Sequence, residues 1–172
     1  LPAIERIDGT REWYKNNQWH RDDRDSITGL ILPAIEYNNG DKLWWINGKR
    51  HRDDRDPNTN LVLPAIEWNN ESKEWYKNGK RHRDDKDPIT GLILPAIEWS
   101  NRSKEWYKHG QYHRDDRDSI TGLILPAVER SDGYKNWWIN GIQQSQPQPQ
   151  LKSLFTNCPI NYVILDICSI CH

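Results

Sequence analysis

Trp75-Tyr76-Lys77-Asn78-Gly79-Lys80-Arg81-His82-Arg83-Asp84-Asp85, with Leu94-Pro95-Ala96-Ile97-Glu98 a short link later, reads as a β-hairpin feeding into another strand. Asn-Gly between alternating residues is the strongest short hairpin signal, because a type I′ turn needs φ > 0 at both central positions. A turn at Asn78-Gly79 sets the register. Lys77 then faces Lys80, Tyr76 faces Arg81, Trp75 faces His82, Glu74 faces Arg83 and Lys73 faces Asp84. These rungs join opposite charges, set a guanidinium against a ring and stack imidazole on indole. Each such pair is worth about 0.2–1 kcal/mol.

The hairpin is one copy of a repeat. Leu-Pro-Ala-Ile-Glu begins at Leu1, Leu32, Leu63 and Leu94, and Leu-Pro-Ala-Val-Glu at Leu125, always 31 residues apart. His-Arg-Asp-Asp begins at His20, His51, His82 and His113. The units are 1–31, 32–62, 63–93 and 94–124, with a partial unit over 125–141, a Gln/Pro linker over 142–150 and an apolar tail over 151–172. The structural cross-strand pairs expected are Trp13–His20, Trp44–His51, Trp75–His82 and Trp106–His113.

A second turn precedes the hairpin in every unit. A three-residue loop such as Asn38-Asn39-Gly40 opposes Glu36 to Lys42, and likewise Glu5 to Arg11, Glu67 to Lys73, Glu98 to Lys104 and Glu129 to Lys135. A two-residue loop at Asp8-Gly9 would instead oppose Arg6 to Arg11 and Glu5 to Glu12, which like charges disfavour. Gly9, Gly40 and Gly133 fall where this loop wants the left-handed conformation, and Glu71 and Arg102 take the same place at some cost. In unit three the strands are expected at 63–68, 73–77 and 80–84, giving rows Glu67–Lys73–Asp84 and Ala65–Trp75–His82 on one face, Ile66–Glu74–Arg83 and Pro64–Tyr76–Arg81 on the other. The fold class is all-β, a tandem array of antiparallel hairpins with about fourteen short strands in an extended, twisted or curled sheet. Both faces are amphipathic, so the sheet either stays thin and open or curls until one face meets itself.

Composition narrows the class. The 172 residues carry a net charge of −1, unlike a basic nucleic-acid binder or an acidic tail. Ten Trp against one Phe, in a chain only 35% hydrophobic, put the buriable area into a few large rings. The absence of Met reads as Leu1 lying after an upstream start. No signal peptide is visible, and no apolar run approaches the roughly 20 residues of a membrane span.

Each suggestive motif has a plainer explanation. His-Arg-Asp occurs in kinase catalytic loops, but four copies without a glycine-rich phosphate cover or a strand lysine fit cross-strand pairing better. Asp54-Arg55-Asp56-Pro57-Asn58-Thr59-Asn60 spaces oxygens as a Ca²⁺ loop does, yet it lacks a closing Glu, and the equivalent links put Ile89 and Ile27 where an oxygen belongs. These links read as solvated turns. Trp68 and Trp99, each beside a turn, are the candidates for stacking on a sugar or small ligand. Cys168-Ser169-Ile170-Cys171-His172 has the haem-attachment spacing, and Cys158 joins those residues as a conceivable Zn²⁺ set. The plainer reading is an apolar terminal strand, 162–170, covering a sheet edge.

The run Trp-Tyr-Lys-Asn-Gly-Lys-Arg-His-Arg-Asp-Asp with Leu-Pro-Ala-Ile-Glu resembles the variant MORN-type repeat of large DNA viruses, phages and some bacterial proteins, over residues 1–141. The resemblance implies an extended hairpin array with a scaffolding or binding role and no defined catalytic residues; the expected setting is intracellular or virion-associated. This chain departs from the usual pattern in the longer link, Arg24-Asp25-Ser26-Ile27-Thr28-Gly29-Leu30-Ile31. The expectation is a non-enzymatic scaffold without metal or cofactor. It would have a protein partner, no nucleic acid and no membrane span, and its sheet edges would be open to self-association. The alternative is an aromatic array that binds glycans or small ligands. Variation at position 68 and its equivalents (Arg6, Tyr37, Trp99, Arg130) favours the scaffold.

Overall fold

The computed structural model describes residues 3–148. Among them there is no helix, and the fold is all-β. Successive hairpins build an eleven-stranded antiparallel sheet. One two-stranded hairpin per full unit stands beside it, as Tyr76–Lys77 with Lys80–Arg81 does in unit three. Among the described residues the first and last strands of the large sheet do not pair with each other, so it is open rather than closed on itself.

Both turns form as their residues demand. Asn78 and Gly79 have φ of 52° and 82°, and His109 and Gly110 have 52° and 88°. The register follows, with Tyr76 facing Arg81 and Lys77 facing Lys80. The three-residue loops oppose Glu5 to Arg11, Glu36 to Lys42, Glu67 to Lys73, Glu98 to Lys104 and Glu129 to Lys135. Glu71 and Arg102 adopt φ of 70° and 71°, the positions where Gly would cost less. An Asn or Asp inside the loop holds it, as where Asn70 Oδ1 accepts the Ser72 N–H at 3.0 Å.

The expected three-stranded rows do not form. Lys73–Glu74 pairs on one edge with Ile66–Glu67 of its own unit, but on the other with Ile97–Glu98 of the next. Asp84 and Arg83 therefore lose their places in the rows to Glu98 and Ile97. The chain divides at Trp75. His82 N–H donates to the Trp75 carbonyl at 3.1 Å, while Trp75 N–H donates to the Ala96 carbonyl at 2.8 Å. Beyond His82 the return strand leaves the hairpin. The physical reason is competition for one edge: an incoming Ile-Glu strand sets Glu98 against Lys73 and closes an edge a single unit would leave open. Splitting also raises the strand count among the described residues to nineteen rather than about fourteen.

Two rows run through ten of the sheet's eleven strands as a result. One alternates charge, Glu5–Arg11–Glu36–Lys42–Glu67–Lys73–Glu98–Lys104–Glu129–Lys135. The neighbouring row runs Ile4–Glu12–Ile35–Leu43–Ile66–Glu74–Ile97–Glu105–Val128–Asn136 and supplies much of the core. Ala34, Ala65, Ala96, Ala127 and the rings of Trp44, Trp75 and Trp106 are buried as well.

The long link is an ordered loop in all four full units. Asp25 Oδ1 accepts from Ile27 N, Thr28 N and Thr28 Oγ1 at 3.0, 2.8 and 2.9 Å, and Asp56, Asp87 and Asp118 repeat the cap. At the far end the hairpin runs three residues into the stretch read as linker, since Ile142–Gln144 pairs with the strand Lys135–Ile139.

Candidate functional site

The chemically capable side chains gather at the joints between units. At the joint between units three and four, the Arg83 guanidinium lies 3.8 Å from the centroid of the Trp75 ring. Arg83, rather than the expected His82 imidazole, thus covers the indole. Its Nη1 donates to the Pro95 carbonyl and to Glu98 Oε1, both at 3.1 Å, so one side chain ties its own hairpin to the next unit's strand. Arg21, Arg52 and Arg114 do the same with Glu36, Glu67 and Glu129, over Trp13, Trp44 and Trp106. Burial pulls the Arg52 and Arg83 guanidinium groups below their usual range, against the opposing charges of Glu67 and Asp54, and of Glu98 and Asp85.

The histidine of each His-Arg-Asp-Asp motif crosses the joint after its unit. His82 Nδ1 accepts the backbone N–H of His109 at 3.1 Å; His20, His51 and His113 accept those of Asn47, Asn78 and Asn140 at 3.0–3.1 Å. A backbone N–H can only donate, so Nδ1 carries the lone pair and Nε2 the proton. That proton faces a carboxylate, Asp84 at 2.6 Å and Asp53 at 2.7 Å. Burial raises the Asp84 carboxyl, but the His82 hydrogen bond and nearby positive charge outweigh it and hold the group below its usual range.

Two further bonds run backward. The Trp75 indole N–H donates to the Val62 carbonyl at 2.8 Å, and Trp44, Trp106 and Trp137 donate likewise to Ile31, Ile93 and Ile124. Asp54 accepts from Arg24 Nη1 at 3.2 Å and from Ile31 N at 2.8 Å, and Asp85 repeats this with Arg55 and Val62. The oxygens that suggested a Ca²⁺ loop are thus occupied by protein donors: Asp54 by the preceding unit, Asp56 by its own turn. Among the described residues no group of three or more His, Cys, Asp or Glu has metal-holding geometry.

A second buried set lies within units. Glu74 Oε2 accepts from Tyr76 Oη at 3.0 Å and Arg81 Nε at 3.2 Å, and its Oε1 from the Trp68 indole at 3.1 Å. Glu105 is held by Tyr107, Tyr112 and Trp99. Burial first, then Tyr112 and Glu105, push the Tyr107 phenol far above its usual range, so it is a fixed donor. Trp68 and Trp99, singled out as ligand-stacking candidates, are half-buried, with their indole N–H groups committed to these carboxylates. Trp99 still borders an open polar cleft with Ser103, Glu129 and Arg130.

The sequence pairs Trp13–His20, Trp44–His51, Trp75–His82 and Trp106–His113 each meet through one backbone bond, from His N–H to Trp carbonyl at 3.0–3.1 Å. Sequence reasoning missed the partners of Arg83, His82 and Asp54, which lie 15, 27 and 23–30 positions away in an adjoining unit. Their signal was the shared period of both partners. Cys158, Cys168, Cys171, His172 and the apolar strand over 162–170 lie outside the described residues. No helix among the described residues is long and apolar enough to cross a membrane. Comparison with protein-family models, curated proteins and solved structures gives no match.

Proposed function

We propose that this chain is a non-enzymatic structural or protein-interaction scaffold, built from a repeat that resembles the MORN type. One observation carries the reading. Ile27, Ile89 and Ile120, at the same link position in units one, three and four, are each 92% exposed. The N–H of each is held by the Asp cap of its turn. An apolar side chain held clear of the surface at a fixed period is an anchor presented in advance, with little ordering entropy left to lose on docking. The His-Arg-Asp-Asp groups support the same reading, because four copies are each spent on a joint. The resemblance supports a viral, phage or bacterial setting. A glycan-binding reading draws on Trp99 at its cleft.

The test is capture from the native source with the purified chain and a variant carrying Ile27→Asp, Ile89→Asp and Ile120→Asp. The variant is expected to keep its far-ultraviolet and tryptophan spectra and to lose the partner. Capture by the variant equal to that of the native chain would remove the anchors from the argument. Glycan binding abolished by Trp99→Ala would favour the alternative.

A further inference from the structure

One side chain in each of units one, three and four collects hydrogen bonds from the same three positions. Glu12 accepts from Arg6, Tyr14 and Trp19, Glu74 from Trp68, Tyr76 and Arg81, and Glu105 from Trp99, Tyr107 and Tyr112. In the partial unit Asn136 Oδ1 still accepts from Gln143 at 3.2 Å. Unit two breaks the series. Leu43 stands in the acceptor's place, buried in the core row between Ile35 and Ile66. Its three surrounding positions nevertheless keep donors, Tyr37, Trp45 and Arg50. Trp45 Nε1 and Arg50 Nε are both buried without a hydrogen-bond partner. Arg50 donates from Nη1 to the Tyr76 hydroxyl at 3.3 Å, but where Arg81 has Glu74 at 3.2 Å it has no ion-pair partner among the described residues. Exchanging Glu for Leu as core packing alone would gain nothing from keeping these donors, since each unpaired one costs stability.

Space for an acceptor lies beside them. A cleft of about 370 Å³ is lined by Tyr37, Leu43, Arg50 and Trp68. A leucine reaches as far as the carboxyl carbon of a glutamate and stops short of its oxygens. The other charged groups of the cleft are engaged within the protein. Arg6 is held by Glu12, Asp8 accepts the Thr10 N–H, and Asp41 accepts the Asn69 N–H and the Asn39 amide. Arg50 is the charge left without a counterion. We propose that this cleft is a binding site for a small organic carboxylate, which supplies from outside the group that Glu12, Glu74 and Glu105 supply in their own units. Its oxygens meet the Arg50 guanidinium and the Tyr37 hydroxyl, as Glu74 meets Arg81 and Trp68. Its apolar body lies against Leu43 and the Tyr37 and Trp68 rings, the usual pairing of an apolar lining with a few placed polar groups. The site occurs once in the array, because Leu43 occurs once. The inference does not rest on the scaffold reading.

The experiment titrates the purified, isotope-labelled full chain with benzoate, a carboxylate on an apolar ring. The readout is the Trp45 indole N–H resonance, assigned with Trp45→Phe; the Arg50 guanidinium lies 5.2 Å from the Trp45 ring centroid, so the indole senses what Arg50 binds. The expected result is a saturable shift. Benzamide, of the same shape without the charge, should bind at least tenfold more weakly. Arg50→Gln should weaken benzoate at least tenfold. Leu43→Glu, which returns an internal carboxylate, should do the same while unfolding at the native temperature or above it. Absence of a saturable shift, benzamide binding as tightly as benzoate, or benzoate binding that both variants leave unchanged overturns the proposal. Should Leu43→Glu fail to fold, Arg50→Gln, at a partly exposed position, decides alone. Benzoate binding and partner capture are read separately, so failure here leaves the Ile27, Ile89 and Ile120 anchors standing, and failure of those anchors leaves this site standing.

Discussion

Unit three and unit five share the frame of one hairpin, Lys-x-Trp-x-x-Asn-Gly over 73–79 and 135–141, and the chain treats them differently. In unit five Lys135–Ile139 is one continuous strand, with Trp137 facing Gln144 and Trp138 facing Gln143. In unit three the corresponding stretch divides at Trp75, and only the two rungs nearest the turn survive. The local sequence asks for the long hairpin in both. Unit three has, and unit five lacks, a following Leu-Pro-Ala-Ile-Glu segment to claim the Trp N–H and the strand edge, and the His82-Arg83 pair that binds to it, where unit five has Gln144 and Ser145. A following unit therefore shortens the hairpin without changing its register: Tyr76 faces Arg81 as Trp138 faces Gln143, while the Trp75 N–H goes to the joint.

The sharpest way to break the comparison is through the tryptophan itself. Trp75→Ala removes a buried ring, the platform under Arg83 and the bond to Val62, and is expected to cost about 3–5 kcal/mol. Hydrogen exchange should show the loss spreading into units two and four. Trp137→Ala, at a half-buried site with no guanidinium stacked on it, should cost clearly less in the same denaturant titration. Deleting residues 63–93 should leave a shorter folded array, because Arg52 then meets Glu98 as it now meets Glu67. Unfolding on deletion together with a silent Trp75→Ala would show a closed domain instead of an array.

Arg83→Ala ranks next. It strands Glu98 and the Pro95 carbonyl, but Glu98 is 38% exposed and partly recovers water, so about 2–3 kcal/mol is expected from denaturant unfolding. Arg130→Ala, which removes only a guanidinium lying over Tyr134 in the terminal unit, should fall within about 0.5 kcal/mol of the native chain. His82→Phe keeps the ring and removes the acceptor for the His109 N–H, at an expected cost of about 1–2 kcal/mol. Exchange of that one amide should accelerate first, and restoring an acceptor with His82→Asn should slow it again.

These contrasts also locate what the sequence could reveal. What lies nearest the turns was legible: the turns at Asn78-Gly79 and Asn38-Asn39-Gly40, the rungs Tyr76–Arg81 and Glu67–Lys73, and the strain at Glu71 and Arg102. Those features depend on residues a few positions apart. Glu98 replacing Asp84 opposite Lys73 was not legible, because both carboxylates satisfy the same lysine and local pairing cannot rank them. The joint partners escaped for the same reason. A repeat makes Arg83 to Glu98 and Arg83 to Glu67 look alike, and only the direction of stacking chooses between them.

The smallest expected effect is that of acid, and it separates the full units from the fifth. Asp25, Asp56, Asp87 and Asp118 cap their link turns, and hydrogen bonds from the backbone N–H and hydroxyl of the following Thr, with another backbone N–H, hold each carboxyl below its ordinary value of 3.8. A carboxyl whose folded value is depressed binds its proton more readily when unfolded, so it stabilises the fold above the unfolded value and loses that contribution as pH falls through the lower folded value. The window therefore lies below about pH 4, and the change should be shallow because all four groups are at the surface. Amide exchange, corrected for the intrinsic rate, should show the links opening before the sheet as pH is lowered from 5 to 2. The Ile142–Gln144 hairpin strand, in a unit with no capped link, should open with no inflection in that window. Replacing Asp87 with Asn, which keeps an acceptor oxygen but cannot take up a proton there, should flatten the unit-three response and leave unit four as before. A link that opens equally at pH 7 and pH 3 would mean that the Asp87 cap does not hold the loop.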